Sequence, residues 1–130
     1  MERELYTRDG ELAAINHALN KIGFIQDVVV VMMNNEAVAC GAFREFDTDS
    51  AELKRMYVQP SHRSKGLASK ILIELESIAK DKGYEYAVLE TGKNQPEAVA
   101  FYLKHGYEQV PAFGKYIDSV NSICFRKQMA

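Results

Sequence analysis

Apolar and polar positions alternate along this chain between two periods, and the switches between them mark its elements. Residues 9–22 place Leu12, Ile15, Leu19 and Ile22 at helical spacing, with Asp9 as N-cap and Gly23 as terminator. Asp27–Met33 is a continuous β-branched run, the pattern of a strand buried on both faces. Asn34-Asn35-Glu36 predicts a tight turn, because asparagine tolerates positive φ. Ala37–Phe46 returns as the hairpin partner, with Gly41 as a bulge or a point of close approach. After the turn Asp47–Ser50, Ala51–Gln59 reads as a third strand. Its Met56-Tyr57-Val58 breaks the period of two, which predicts a bulge.

Helical spacing resumes from Ser64 to Lys82, with Leu67, Ile71, Leu75, Ile78 and Ala79 on one stripe and Gly83 beyond the end. Tyr84–Thr91 is a strand, Gln95–His105 a helix with apolar Ala98, Phe101 and Tyr102, and Tyr107–Val110 and Val120–Lys127 are final strands. An irregular stretch, Pro111–Asp118, separates these last two. Strand–helix–strand in the middle implies a parallel pair, and the flanking hairpins are antiparallel. The expected fold is therefore α/β, or α+β, with a mixed sheet flanked by helices.

At 130 residues the length suits a single domain spanning 1–130. A hydrophobic fraction of 47% supplies a core. The net charge of −2 argues against nucleic acid as a partner. The longest apolar run, Val28–Met33, is too short for a membrane span, and the acidic N-terminus does not resemble a signal peptide. The expected setting is cytoplasmic, with Cys40 and Cys124 as buried free thiols. His17, His62 and His105 lack the spacing of metal ligands, so no metal is expected.

The chemistry concentrates at residues 51–69. A strand stopped by Pro60 leads through Arg63-Ser64-Lys65-Gly66 into a helix, an arrangement that aims free N–H groups and the helix dipole at an anion such as phosphate. Lys54, Arg55, Lys65 and Lys70 add a local basic cluster suited to phosphates. Neither the triphosphatase loop nor the dinucleotide fingerprint is present.

Arg63-Ser-Lys-Gly66-Leu-Ala68, followed by Asn94-Gln-Pro-Glu-Ala98-Val-Ala-Phe101-Tyr102-Leu-Lys104-His-Gly106-Tyr107, resembles two motifs of the GCN5-related N-acetyltransferase (GNAT) family in the right order. The resemblance covers about three quarters of the chain, from the hairpin near Val28 to Lys127. It implies the acyl-CoA N-acyltransferase fold with a central splayed sheet, and acetyl-CoA as cosubstrate between the third and fourth strands. Met56, Tyr57 and Val58 would line the pantetheine. Arg63, Ser64, Lys65, Gly66, Leu67, Ala68 and Ser69 would hold the pyrophosphate, and Asn94 and Phe101 would flank the thiol arm. It further implies acetyl transfer to a primary amine of a small molecule or peptide.

Deprotonating a lysine-like ammonium at pH 7 costs about 3.4 pK units, or about 4.6 kcal/mol, so a base is needed. Glu52 and Glu90, on the strands flanking the splay, are the candidates, and a backbone N–H near Val58 could stabilise the oxyanion. Tyr102 is the expected proton donor to the leaving thiolate. Family members usually carry a strand and two helices ahead of the hairpin, whereas residues 1–26 leave room for one helix. The sequence thus reads as N-terminally shortened, with a homodimer partner covering an exposed sheet edge. A coenzyme A-binding module with lost or regulatory catalysis is the alternative reading.

Overall fold

The computed structural model describes residues 27–63 and 66–129. The helix expected at 9–22, the shortened N-terminus, and Ser64 and Lys65 lie outside the described residues. Among the described residues, six strands form one sheet in the order β1-β2-β3-β4-β6-β5. They are β1 (Asp27–Met33), β2 (Glu36–Asp47), β3 (Ser50–Val58), β4 (Tyr86–Gly92), β5 (Glu108–Val110) and β6 (Ser122–Gln128). Helix α1 (Leu67–Asp81) joins β3 to β4, and α2 (Pro96–Lys104) joins β4 to β5. Only β3 and β4 pair in parallel; β1–β2, β2–β3, β4–β6 and β5–β6 are antiparallel. The mixed sheet expected from the sequence is therefore present.

The asparagine turn takes the form its residues favour. Asn34 and Asn35 adopt φ of 53° and 65°, and this left-handed pair matches the twist of the strands it joins. β1 is apolar from Val28 to Met33, and its central valines are covered on both faces. Val29 and Val31 enter the main core with Phe43, Leu53 and Leu89, while Val30 joins Ala37, Cys40 and Ala42 on the other face. The stripe of α1 seals the main core as expected, and Leu72 extends it. Beyond the helix, Gly83 at φ 96° turns the chain, and Gly106 at φ 90° does the same after α2. Cys40 and Cys124 are free and buried.

Several boundaries differ by a few residues from expectation, and the departures in the second half of the chain have local reasons. Tyr84 precedes β4, because its N–H donates to the Ala79 carbonyl at the end of α1. Its ring packs edge-on against Phe43. Val120 is 81% exposed in a turn, so β6 begins at Ser122. Within Pro111–Asp118, Gly114–Tyr116 forms a short 3-10 turn rather than irregular chain.

The predicted bulge is present and lies slightly earlier than Met56-Tyr57-Val58. Register passes from Cys40↔Tyr57 to Ala42↔Lys54, so Gly41 alone faces Arg55 and Met56. Arg55 takes φ 53°, a conformation that costs a non-glycine residue about 1–2 kcal/mol. Gly41 is a point of close approach as well. A Cβ there would meet Ile71 Cγ2 and Met56 Sδ, each at 2.6 Å.

Candidate active site

β3 and β4 pair at only three positions, Ser50↔Tyr86, Ala51↔Ala87 and Glu52↔Val88. Past Glu52 the two strands part, and a cleft of about 1010 Å³ opens between them. One wall carries Leu53 to Val58, and the other carries Leu89 to Gly92 with α2 behind it. The bulge at Arg55 turns this half of β3, so that Met56 and Val58 pack on the main core while Tyr57 packs on the opposite cluster. On its β4 side this stretch of β3 has no strand partner, so an extended ligand can dock there as β-structure does.

At the cleft's end the chain turns through Pro60–His62. Arg63 lines the cleft and donates from Nε to the Val58 carbonyl at 2.9 Å, which anchors the loop to the strand. Gly66 caps α1 in the left-handed region at φ 78°, with open space where a side chain would stand. The first N–H groups of a helix have no acceptor within it, so the start of α1 offers donors to an anion. Leu67 is buried and anchors the helix, whereas Ala68 faces the cleft. Ser69 instead shares a hydrogen bond with His105, the residue that caps α2, Oγ to Nε2 at 3.0 Å. His62 pairs locally with Ser61 at 2.9 Å.

α2 supplies the inner wall through Ala98, Phe101 and Tyr102. Tyr102 is 8% exposed and packs edge-on against Phe101 and Tyr107. Burial pushes its hydroxyl up to about 12. Asn94 is exposed on the turn before α2 and does not line the cleft. Of the residues expected at the cofactor, Met56, Tyr57, Val58, Arg63, Ala68 and Phe101 share this cleft.

The two carboxylates differ in surroundings. Glu52 is 5% exposed and accepts from Tyr116 Oη at 3.0 Å, while Lys54 Nζ lies 3.4 Å from the same carboxylate oxygen. Lys54 also donates to Tyr116 Oη at 3.2 Å, closing a triangle. Glu90 stands half-buried in the cleft wall and accepts from Ser122 Oγ at 2.7 Å. Burial lowers the Lys54 pKa, an effect opposed by Glu52 and reinforced by Lys115. Burial, and then the charge of Glu52, raise that of Tyr116.

Lys54 thus serves this face and not a phosphate cluster with Lys70, which is exposed on α1. The sequence reading missed Tyr116. Its only signal was the clustering of aromatic residues in Pro111–Asp118, where Phe113 stacks edge-on between Phe46 and Tyr116. No cluster of His, Cys, Asp and Glu suited to a metal occurs among the described residues. Among them, too, no helix is long and apolar enough to cross a membrane.

The family model described as acetyltransferase (GNAT) family matches residues 3–107. The uncharacterised N-acetyltransferase YsnE of Bacillus subtilis is 33% identical over 97 residues, covering 73% of this chain and 64% of that protein. The IAA acetyltransferase of Azospirillum brasilense is 32% identical over 120 residues, covering 88% and 78%. The chain therefore spans just under two thirds of the first of these relatives. A candidate acyl-CoA N-acyltransferase from Klebsiella pneumoniae has a similar crystal structure. It matches at a TM-score of 0.79 and 30% identity, covering 91% of this chain and 86% of that one.

Proposed function

This chain belongs to the GNAT acetyltransferase family, and from that premise we propose that it transfers an acetyl group from acetyl-CoA to a primary amine by direct attack in a ternary complex. The observation that carries the reading is the parting of β3 and β4 after Glu52↔Val88, with Arg63 and Ala68 lining the cleft between them and Tyr102 in its wall. In this reading acetyl-CoA lies along Met56–Val58, with its pyrophosphate at the start of α1 and its thioester toward Tyr102.

Glu90 is the better placed base. Its carboxylate reaches the cleft with a single serine donor, whereas Lys54 and Tyr116 already engage Glu52. Glu52 then acts as a positioning group that fixes Tyr116 and Lys54. The neutral amine attacks the thioester carbonyl, a backbone N–H near Val58 steadies the oxyanion, and the thiolate leaves toward Tyr102. A hydroxyl near 12 holds its proton about 3.5 pK units more tightly than an ordinary thiol. Tyr102 therefore contributes first a hydrogen bond to the sulfur. Transfer of its proton becomes less uphill as the same burial raises the thiolate's basicity.

The reading extends to a single domain over 1–130 that works in the cytoplasm as a homodimer, since among the described residues β1 and β5 are the edges of the sheet and an unpaired edge invites a partner. A monomer by light scattering at micromolar concentration removes the dimer from it. Thiol release from acetyl-CoA across a panel of amines, with Tyr102→Phe alongside, tests the activity. Turnover that falls about 10-fold or more in the variant supports it. Tight acetyl-CoA binding with no turnover of any amine leaves a binding module instead.

A further inference from the structure

The walls of the cleft carry opposite charges on different elements. Glu90 on β4 is a carboxylate without an ion pair among the described residues. Two ammonium groups share the cleft with it, both set against Tyr116. Lys54 Nζ lies 5.9 Å from the Tyr116 ring centroid and Lys115 Nζ 5.5 Å from it, and both residues line the cleft with Glu90. Glu52 is the carboxylate that lies against Lys54. Lys115 forms no ion pair among the described residues, and the two ammonium groups repel each other. Lys54 thus has a carboxylate partner and Lys115 has none among the described residues, while Glu90 pairs with neither.

We propose that the acceptor amine bears an anionic group, as a small amino carboxylate does, with its ammonium at Glu90 and its anion at Lys54 and Lys115. This inference rests on the acetyl-transfer reading. The charge pattern complements such a molecule at both ends. A diamine or polyamine would bring a second ammonium against Lys54 and Lys115, and like-charge contact in a half-closed cleft disfavours it. Glu90 accepts the proton as the amine becomes neutral, and the lysines hold the far end so that the nitrogen faces the thioester.

The test compares a free amino acid, its carboxamide and a simple diamine in the thiol-release assay, with rates expressed per neutral amine because the carboxylate raises the amine's own pKa. The amino acid is expected to exceed the carboxamide in kcat/KM by about fivefold or more, the scale of a partly exposed ion pair. Lys115→Gln should narrow that ratio and Lys115→Glu should invert it. Lys115 is exposed, so both variants are expected to fold, and circular dichroism checks this. Equal turnover of acid and carboxamide, preference for the diamine, or a ratio untouched by Lys115→Glu overturns the inference while leaving acetyl transfer standing. Turnover of no amine overturns the acetyl-transfer reading, and this inference with it.

Discussion

Tyr116 donates a hydrogen bond to Glu52 at 3.0 Å across 64 residues of sequence, tying the turn at Gly114–Tyr116 to the strand where the sheet divides. Lys54 completes the contact at 3.2 Å from the same hydroxyl. A buried carboxylate that loses such a donor loses about 1–3 kcal/mol, the upper part of that range applying to charged groups. Tyr116→Phe should therefore lower stability by about 1–2 kcal/mol in urea unfolding, with the m-value unchanged. The same variant should lower kcat more than it raises the KM for acetyl-CoA, because the hydroxyl touches the acceptor side of the cleft.

Gly41 is the narrowest point of the core. Alanine there would press on Ile71 Cγ2 and Met56 Sδ at 2.6 Å and on Leu75 Cδ1 at 3.0 Å. Methionine can yield, but the branched Ile71 on α1 cannot without shifting the helix. Gly41→Ala should cost about 1–3 kcal/mol, read as a lowered thermal midpoint. Adding Met56→Ala should not restore the full loss if Ile71 sets the limit.

Arg63 joins the loop to β3 and adds a cation at the end of the cleft. Its removal leaves the Val58 carbonyl without that donor and weakens phosphate binding. Arg63→Ala is expected to raise the acetyl-CoA KM about fivefold to tenfold with a smaller change in kcat, as steady-state kinetics would report.

Alkaline pH provides a separate measurement. Burial raises the Cys40 thiol from 9.0 to about 11, so the folded state holds this proton more tightly than the unfolded chain does. The resulting stability is fully present below pH 9 and is lost as pH rises through about 11. Tyr102 has the same sign in a higher window, between 10.0 and about 12. Stability should thus fall from about pH 9 upward, on the order of 2 kcal/mol by pH 11 from the thiol. Thermal midpoints of Cys40→Ala, lower at pH 7 for lost packing, should decline less steeply between pH 9 and 11.

Much of this architecture is written locally. β1 was legible residue for residue because its valine run is buried on both faces and the Asn34-Asn35 turn closes it. The stripe of α1 and the glycines after both helices were legible for similar reasons, since burial periodicity and φ are properties of short segments. Gly66 and Arg63 announced a turn into a helix because that arrangement is encoded by neighbours in sequence.

Other features needed the assembled sheet. The bulge sits at Arg55 rather than at the apolar triplet, because its place is set by Gly41 on the facing strand and by the helix above. Lys54, next to Arg55 in sequence, faces Glu52 and Tyr116, since alternate residues of a strand point to opposite faces. The aromatic clustering around Tyr116 did not show where its hydroxyl would point. It reaches Glu52 because β6 pairs with β4 and returns the preceding turn over the cleft, a consequence of strand order that no local pattern records. Short-range periodicity therefore determined the elements and the turn after β3, whereas the charges facing the acceptor were decided by which strands became neighbours.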